Sequence, residues 1–198
     1  MNWLAHLFLS EPSVEMRLGN LLADIVKGTE RQKFNAQIQR GIQCHQIIDR
    51  FTDNHPIFIC SRQRINPEYR RFAGVFVDVF YDHFLAKNWT KYTNTSLDEF
   101  TSEVYTSFQD YPREVPIIVR QLISRIEAED WLGSYRHIQG VEDCLLRISK
   151  RLSRRLKKPF FLQQAVDELT NNYDEFEQDL CIFFPELYLH IKEMYCIR

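Results

Sequence analysis

At 198 residues with a net charge of -2, the chain is long enough to bury one sizeable core, and 14% aromatics against only six glycines argue against a turn-rich β fold and for long helices. The five cysteines (Cys44, Cys60, Cys144, Cys181 and Cys196) form no CxxC pair and no zinc-ligand spacing, an odd patternless set expected of reduced thiols in a cytoplasmic protein. No run of about 18 apolar residues is present to span a membrane, and Met1 to Ser10 lacks the basic start of a signal peptide.

Asn2 to Leu9 reads as a short apolar helix in which Asn2 and His6 share a face. Glu11-Pro12-Ser13 breaks it, and Ser13 is placed to cap a second helix that the pattern carries to Lys27, with Gly28 as its stop. This helix carries Asn20 and Asp24 four apart. A third, roughly Arg31 to Phe51, holds His45 and Asp49 four apart with Asp53 near the same line. Thr52-Asp53-Asn54-His55-Pro56 is turn and cap chemistry, followed by a short amphipathic piece to Ile65. Asn66-Pro67 then opens the central helix.

That helix, Arg71 to Lys87, is apolar almost all round, with Phe76, Phe80 and Phe84 on one face and Val77, Tyr81 and Leu85 filling most of the rest. Such a helix is normally buried. It nevertheless carries Asp78 and Asp82 in register, and buried like charges repel unless a cation lies between them. The alternative resolution is a salt-bridge network to arginines such as Arg50 or Arg71.

In the second half, Ser96 caps a helix from Leu97 to Asp110, Pro112 and Pro116 punctuate the start of another that ends near Asp130, and Trp131 to His137 reads as a tight connection through Gly133. A basic helix from Gln139 to Lys158 follows, then two helices, Phe161 to Cys181 and Pro185 to Tyr195. No strand alternation and no internal repeat occur, so the expected fold is all-α, a single domain over residues 1–198 with its polar face mostly from 1–90. Six positive charges lie between Lys150 and Lys158; against the net -2 they leave about -8 on the remainder, which suggests a localised anionic partner.

Four polar pairs at i,i+4 therefore stand in apolar surroundings: Asn2/His6, Asn20/Asp24, His45/Asp49 and Asp78/Asp82, with Asp53 and His83 beside the last two. Imidazole with carboxylate is the ligand set of Mn²⁺, Fe²⁺, Mg²⁺ and some Zn²⁺ sites. A divalent ion would neutralise the carboxylates and activate water, as in metallohydrolases. Blander roles compete: a turn or cap for Asp53, a loop for His55, structural places for His137 and His190, and packing for Trp3, Trp89 and Trp131. No GxxxxGK, GxGxxG, GxSxG or HExxH motif occurs, and the Glu-x-x-His repeat of di-iron bundles is absent.

The segments N-W-L-A-H-L at the start, G-N-L-L-A-D at 19–24, G-I-Q-C-H-Q-I-I-D-R-F-T-D-N-H-P at 41–56 and F-V-D-V-F-Y-D-H-F-L-A at 76–86 resemble the acyl carrier protein phosphodiesterase family. The resemblance is specific over the first ~90 residues and extends to the rest as helical pattern. It implies hydrolysis of the 4′-phosphopantetheine–serine linkage of holo-acyl carrier protein, a relation to HD-domain phosphohydrolases, and Mn²⁺ as the favoured ion, with Mg²⁺ or Fe²⁺ as substitutes. Carried over by position, it implies His6, Asp24, His45, Asp49, Asp78 and Asp82 as metal-site groups. No His-Asp dipeptide occurs, only the reversed Asp82-His83.

For the chemistry, His83 is a candidate proton donor to the leaving serine alkoxide, and Asp53 joins it as a candidate catalytic group. Acyl carrier protein is acidic, so a basic face is expected to meet it: Arg62, Arg64, Arg70 and Arg71 near the site in sequence, or the later cluster with Arg154 and Arg155. Nucleic acid is not the expected partner. Two rival readings remain, an HD-type hydrolase of small nucleotides and a non-catalytic helical module that binds an acidic protein.

Overall fold

The computed structural model describes residues 1–111 and 115–195. Pro112 and Cys196 lie outside those residues. Among the described residues there is no strand; eleven α-helices and four short 3-10 turns make up the fold.

The first half contains α1 (Trp3–Phe8), α2 (Val14–Leu22), α3 (Ala36–Asn54), α4 (Pro56–Arg64) and α5 (Ala73–Lys87). Ser13 caps α2 as expected, whereas α3 is capped by Asn35 and runs on to Asn54, so Thr52, Asp53 and Asn54 are helical and not a turn. Asn2 accepts from the Trp3 N–H, Ser13 from the Met16 N–H and Asn35 from the Ile38 N–H; His55 caps α4, with Pro56 in its first turn. α2 stops at Leu22, earlier than Gly28. One more turn of backbone bonds follows, the Val26 N–H reaching the Leu22 carbonyl at 2.8 Å, and the Arg31 guanidinium then takes the carbonyls of Ala23 and Val26, each at 2.9 Å, in place of helical N–H donors. Gly28, at φ 60°, opens a 3-10 turn (Gly28–Lys33) rather than ending the helix, and α3 begins only at Ala36. Pro67 likewise opens a 3-10 turn (Pro67–Phe72) ahead of α5.

The second half contains α6 (Leu97–Gln109), α7 (Ile117–Ala128), α8 (Trp131–Ser134), α9 (Ile138–Leu156), α10 (Val166–Asn171) and α11 (Tyr173–Tyr195). Ser96 and Glu99 form a reciprocal capping box on α6. The connection through Gly133 is itself one helical turn, capped by Asp130. Pro185 does not start the last helix. It lies inside α11, on its exposed side, as does Cys181, four residues before it; the break falls at Asn172 instead.

α5 is the hub, packed against α1, α4, α9 and α11. Phe76, Phe80 and Phe84 are fully buried in the core, with Phe80 edge-on to Phe176 of α11 at 5.3 Å. One apolar cluster runs from Met1 through Tyr195. α2 and α3 pack most intimately, and α1 is laid against the middle of α5 with its first residues over Asp78 and Asp82.

Candidate metal centre and adjoining clefts

The close approach of α2 and α3 is made by two glycines. A Cβ on Gly19 would lie 2.1 Å from the Ile38 carbonyl oxygen, and one on Gly41 would lie 2.2 Å from that of Met16. Only hydrogen at both positions lets the helices meet, and the meeting sets Asn20, next to Gly19, against His45, one turn beyond Gly41.

Asn20 is fully buried, and its side chain has one possible orientation. The Nδ2 group donates to the His6 carbonyl at 3.0 Å and to Ser10 Oγ at 2.7 Å, and a carbonyl only accepts, so Oδ1 must face the other way. There Oδ1 meets Nδ1 of His6 at 3.0 Å and Nδ1 of His45 at 3.1 Å. Both histidines therefore carry their proton on Nδ1, leaving both Nε2 atoms with a bare lone pair.

Those lone pairs converge on Asp49. His6 Nε2 lies 3.3 Å from Asp49 Oδ1 and 3.2 Å from the Met1 carbonyl, and His45 Nε2 lies 3.1 Å from Asp49 Oδ2. The rings stack with centroids 4.0 Å apart. Two neutral imidazoles own two N–H protons, and Asn20 takes both, so acceptors face acceptors at Nε2. Protonating both rings is opposed by their stacking: burial, with His45 adding to it, pulls His6 down to about 4. A divalent cation supplies the positive charge this arrangement lacks, and three ligand atoms from His6, His45 and Asp49 lie within 4.8 Å of one another. The residues fit a metal ion.

Asp24 stands at the edge of this group, on the turn after α2. Its Oδ2 accepts from Trp3 Nε1 at 2.8 Å, while Oδ1 lies 3.7 Å from His45 Nε2. Asp53 is exposed nearby and has no hydrogen-bond partner among the described residues. The two aspartates of α5 are engaged otherwise. Asp78 ion-pairs with the α-amino group of Met1. Burial lifts its carboxyl to about 6 against that pairing. Asp82 is fully buried and accepts the backbone N–H groups of Asn2 at 3.1 Å and Leu4 at 2.8 Å. Burial raises it to about 7, against the pull of the Met1 ammonium and of the Asn2, Leu4 and Ala5 N–H groups. Asp82 thus anchors the start of α1, which carries His6, and is not turned to the metal cluster. Neither arginine of the alternative network is its partner.

His83 stands apart from the cleft. Its Nδ1–H donates to the Tyr135 carbonyl at 2.7 Å and its Nε2 meets the Tyr173 hydroxyl at 2.7 Å, and burial lowers its pKa. With both nitrogens occupied and neither cleft reaching it, the geometry withdraws His83 as proton donor.

Two clefts adjoin here, and the smaller one opens on the cluster. The smaller, about 240 Å³, is lined by Asp24, His45, Asp49, Asp53, Asp78 and Arg151, among others. The larger, about 570 Å³, has Trp3, Trp131, Ile118 and Leu122 as apolar walls and Arg125, Arg147, Lys150, Arg151 and Arg154 as cations. Trp3 and Trp131 stack at 5.8 Å, and the Arg147 guanidinium lies 4.3 Å over Trp131. The basic helix is therefore the one beside the site. Arg154 lines the large cleft, and Arg155 lines neither. Arg62, Arg64, Arg70 and Arg71 also line neither; Arg64 is held by Asp179 and Arg71 lies over Phe72. Proximity in sequence to the central helix did not translate into proximity to the cleft, because α4 and its following turn pack at the far side of α5.

Fold and site together define an all-helical protein with a histidine–carboxylate cluster in a small cleft that adjoins a basic, tryptophan-walled one. The family model described as acyl carrier protein phosphodiesterase matches residues 1–187, and the chain belongs to that family. It is 30% identical to acyl carrier protein phosphodiesterase of Photorhabdus laumondii, covering 100% of this chain and 99% of that protein. It is also 30% identical to the Serratia proteamaculans protein of that name (98% of each) and 32% identical to that of Escherichia coli O6:H1 (94% of this chain, 95% of the other). No solved structure matches the chain.

Proposed function

We propose that the chain hydrolyses the phosphodiester joining the 4′-phosphopantetheine arm to the serine of holo-acyl carrier protein, releasing the apo protein, with a divalent ion, Mn²⁺ in preference, held by His6, His45 and Asp49 and flanked by Asp24. Its relatives are named for this activity. The observation that carries the metal is the pair of Nε2 lone pairs aimed at one carboxylate. When bound, such an ion polarises a phosphoryl oxygen and lowers the pKa of attacking water.

The chain's own residues do the rest. Asn20 fixes both imidazoles in the tautomer that can ligate. Asp53, free at the cleft mouth, is the carboxylate available to take a proton from the attacking water. The large cleft accepts the arm along the wall that the stacked rings of Trp3 and Trp131 form together, and the cations of α9 face the acidic carrier protein, which raises the association rate and makes it salt-dependent. We place the reaction in the cytoplasm, where the free thiols of Cys44, Cys60, Cys144 and Cys181 stay reduced, and we retain the relation to HD-domain hydrolases as part of the proposal. No helix among the described residues is long and apolar enough to cross a membrane.

The test is the mass of holo-acyl carrier protein after incubation, beside a panel of nucleotides. Loss of the arm's mass with nucleotides untouched is expected; nucleotide turnover with an unchanged carrier protein would shift the substrate to the rival class.

A further inference from the structure

The small cleft poses an electrostatic problem for its own substrate. Asp24, Asp49, Asp53 and Asp78 all line it, and a phosphodiester is an anion. The Met1 ammonium is taken by Asp78, and a divalent ion offsets two of the remaining three carboxylates, so the cleft would still repel the substrate. One Lys or Arg side chain lines that cleft, Arg151. It also lines the large cleft, so it stands where the two join.

Arg151 is exposed on α9 and forms no ion pair or hydrogen bond with any described residue, although carboxylates share its cleft. Its neighbours on the same helix face are differently placed. Arg147 lies over Trp131, and Arg154 donates to the Lys150 carbonyl at 3.3 Å and reaches the large cleft only. α9 packs on α5, so the guanidinium rises from a helix fixed to the hub that also carries Asp78.

We propose that Arg151 is the phosphate-binding residue of the site: it grips the scissile phosphodiester at the junction of the two clefts, with the arm lying towards Trp131 and the phosphorus held over the His6–His45–Asp49 cluster. This rests on the phosphodiesterase reading above. A guanidinium matches two phosphoryl oxygens at once, which a lysine cannot do.

The test is calorimetric binding of 4′-phosphopantetheine and of pantetheine, which differ only by the phosphate, to protein stripped by chelator and reloaded with Mn²⁺. Wild type is expected to bind the phosphorylated ligand roughly tenfold tighter or more, Arg151→Ala to cut that preference several-fold, the remainder being the ion's, and Arg151→Lys to fall between. Because the side chain is exposed, melting and Mn²⁺ affinity should stay at wild-type values. Equal weakening of both ligands would make Arg151 a clamp for the arm, and no weakening of either would give it no role; both results overturn the proposal, as does a wild type that does not distinguish the ligands. Wild-type turnover of holo-acyl carrier protein, measured alongside, tests the underlying reading separately, because the phosphate preference is read without turnover.

Discussion

His6 and His45 stack face to face at 4.0 Å and turn their Nδ1 atoms to the same oxygen, Asn20 Oδ1. One buried amide thus sets the protonation of two histidines on different helices. Replacing Asn20 with Leu should cut Mn²⁺ affinity about 10–100-fold, the usual cost of losing a partner that orients a ligand. Asn20→Asp keeps an acceptor for both rings and should retain more of it. Titration of the chelator-stripped variants with Mn²⁺ decides this; equal affinity in Asn20→Leu and wild type would remove the amide from the account.

Gly19→Ala or Gly41→Ala forces a methyl against a backbone carbonyl that cannot step aside. Overpacking of this kind costs about 1–3 kcal/mol. At roughly 2–4 °C per kcal/mol for a chain of this size, the melting temperature should fall by several degrees. The same change should weaken metal binding by moving His45 off Asn20. A melt within a degree of wild type would mean that the α2–α3 crossing tolerates separation.

Asp82 and the metal can be separated experimentally. Asp82→Asn weakens the hold on the start of α1 and should destabilise the fold by about 1–3 kcal/mol, while Mn²⁺ affinity stays within a few-fold. A loss of affinity comparable to that of His45→Ala, with the fold intact, would return Asp82 to the ligand set.

His83 carries the pH prediction. Burial lowers its pKa below the ordinary 6.5. Its Nδ1–H donates to the Tyr135 carbonyl, so Nε2 must accept from Tyr173, and added protons have no acceptor there. The unfolded chain then takes up a proton that the folded chain refuses. The stability His83 contributes is complete above pH 6.5 and is lost as pH falls below it, at a limiting slope of roughly 1.4 kcal/mol per pH unit. Denaturant melts from pH 7 to 5 should be flatter for His83→Gln, with turnover per folded molecule preserved. A large fall in kcat at unchanged stability would restore the proton-donor role.

The pairs His45/Asp49 on α3 and Asp78/Asp82 on α5 were legible because i,i+4 spacing puts two side chains on one face wherever the helix goes, and Asn2 and Asp24, just outside α1 and α2, stayed close to the same lines. His6, His45, Asp49 and Asp24 came together on that basis. What spacing does not carry is which partner a buried carboxylate finds. Asp78 and Asp82 met the start of α1, a tertiary contact across more than seventy residues. Asn20 appeared among the pairs without a role, since its importance depends on one oxygen being shared by two rings. The Lys150–Lys158 cluster was visible as charge, but which of its members faces the site depends on how α9 is seated on α5; that makes Lys150, Arg151 and Arg154, not Arg155, the cleft residues. Pro185 misled because the helix continues through it: Phe183, Phe184, Leu187 and Ile191 are buried on the opposite face, and their packing outweighs the local cost of the proline.

The most direct test is a time course of arm loss from holo-acyl carrier protein, followed by mass, with chelator-stripped wild type and with Asp49→Ala, each before and after Mn²⁺ is added back. Cleavage by wild type only when Mn²⁺ is restored, and by Asp49→Ala under neither condition, is the predicted result. Equal cleavage by the stripped wild type, or by Mn²⁺-loaded Asp49→Ala, would contradict a reaction that depends on an ion held by His6, His45 and Asp49.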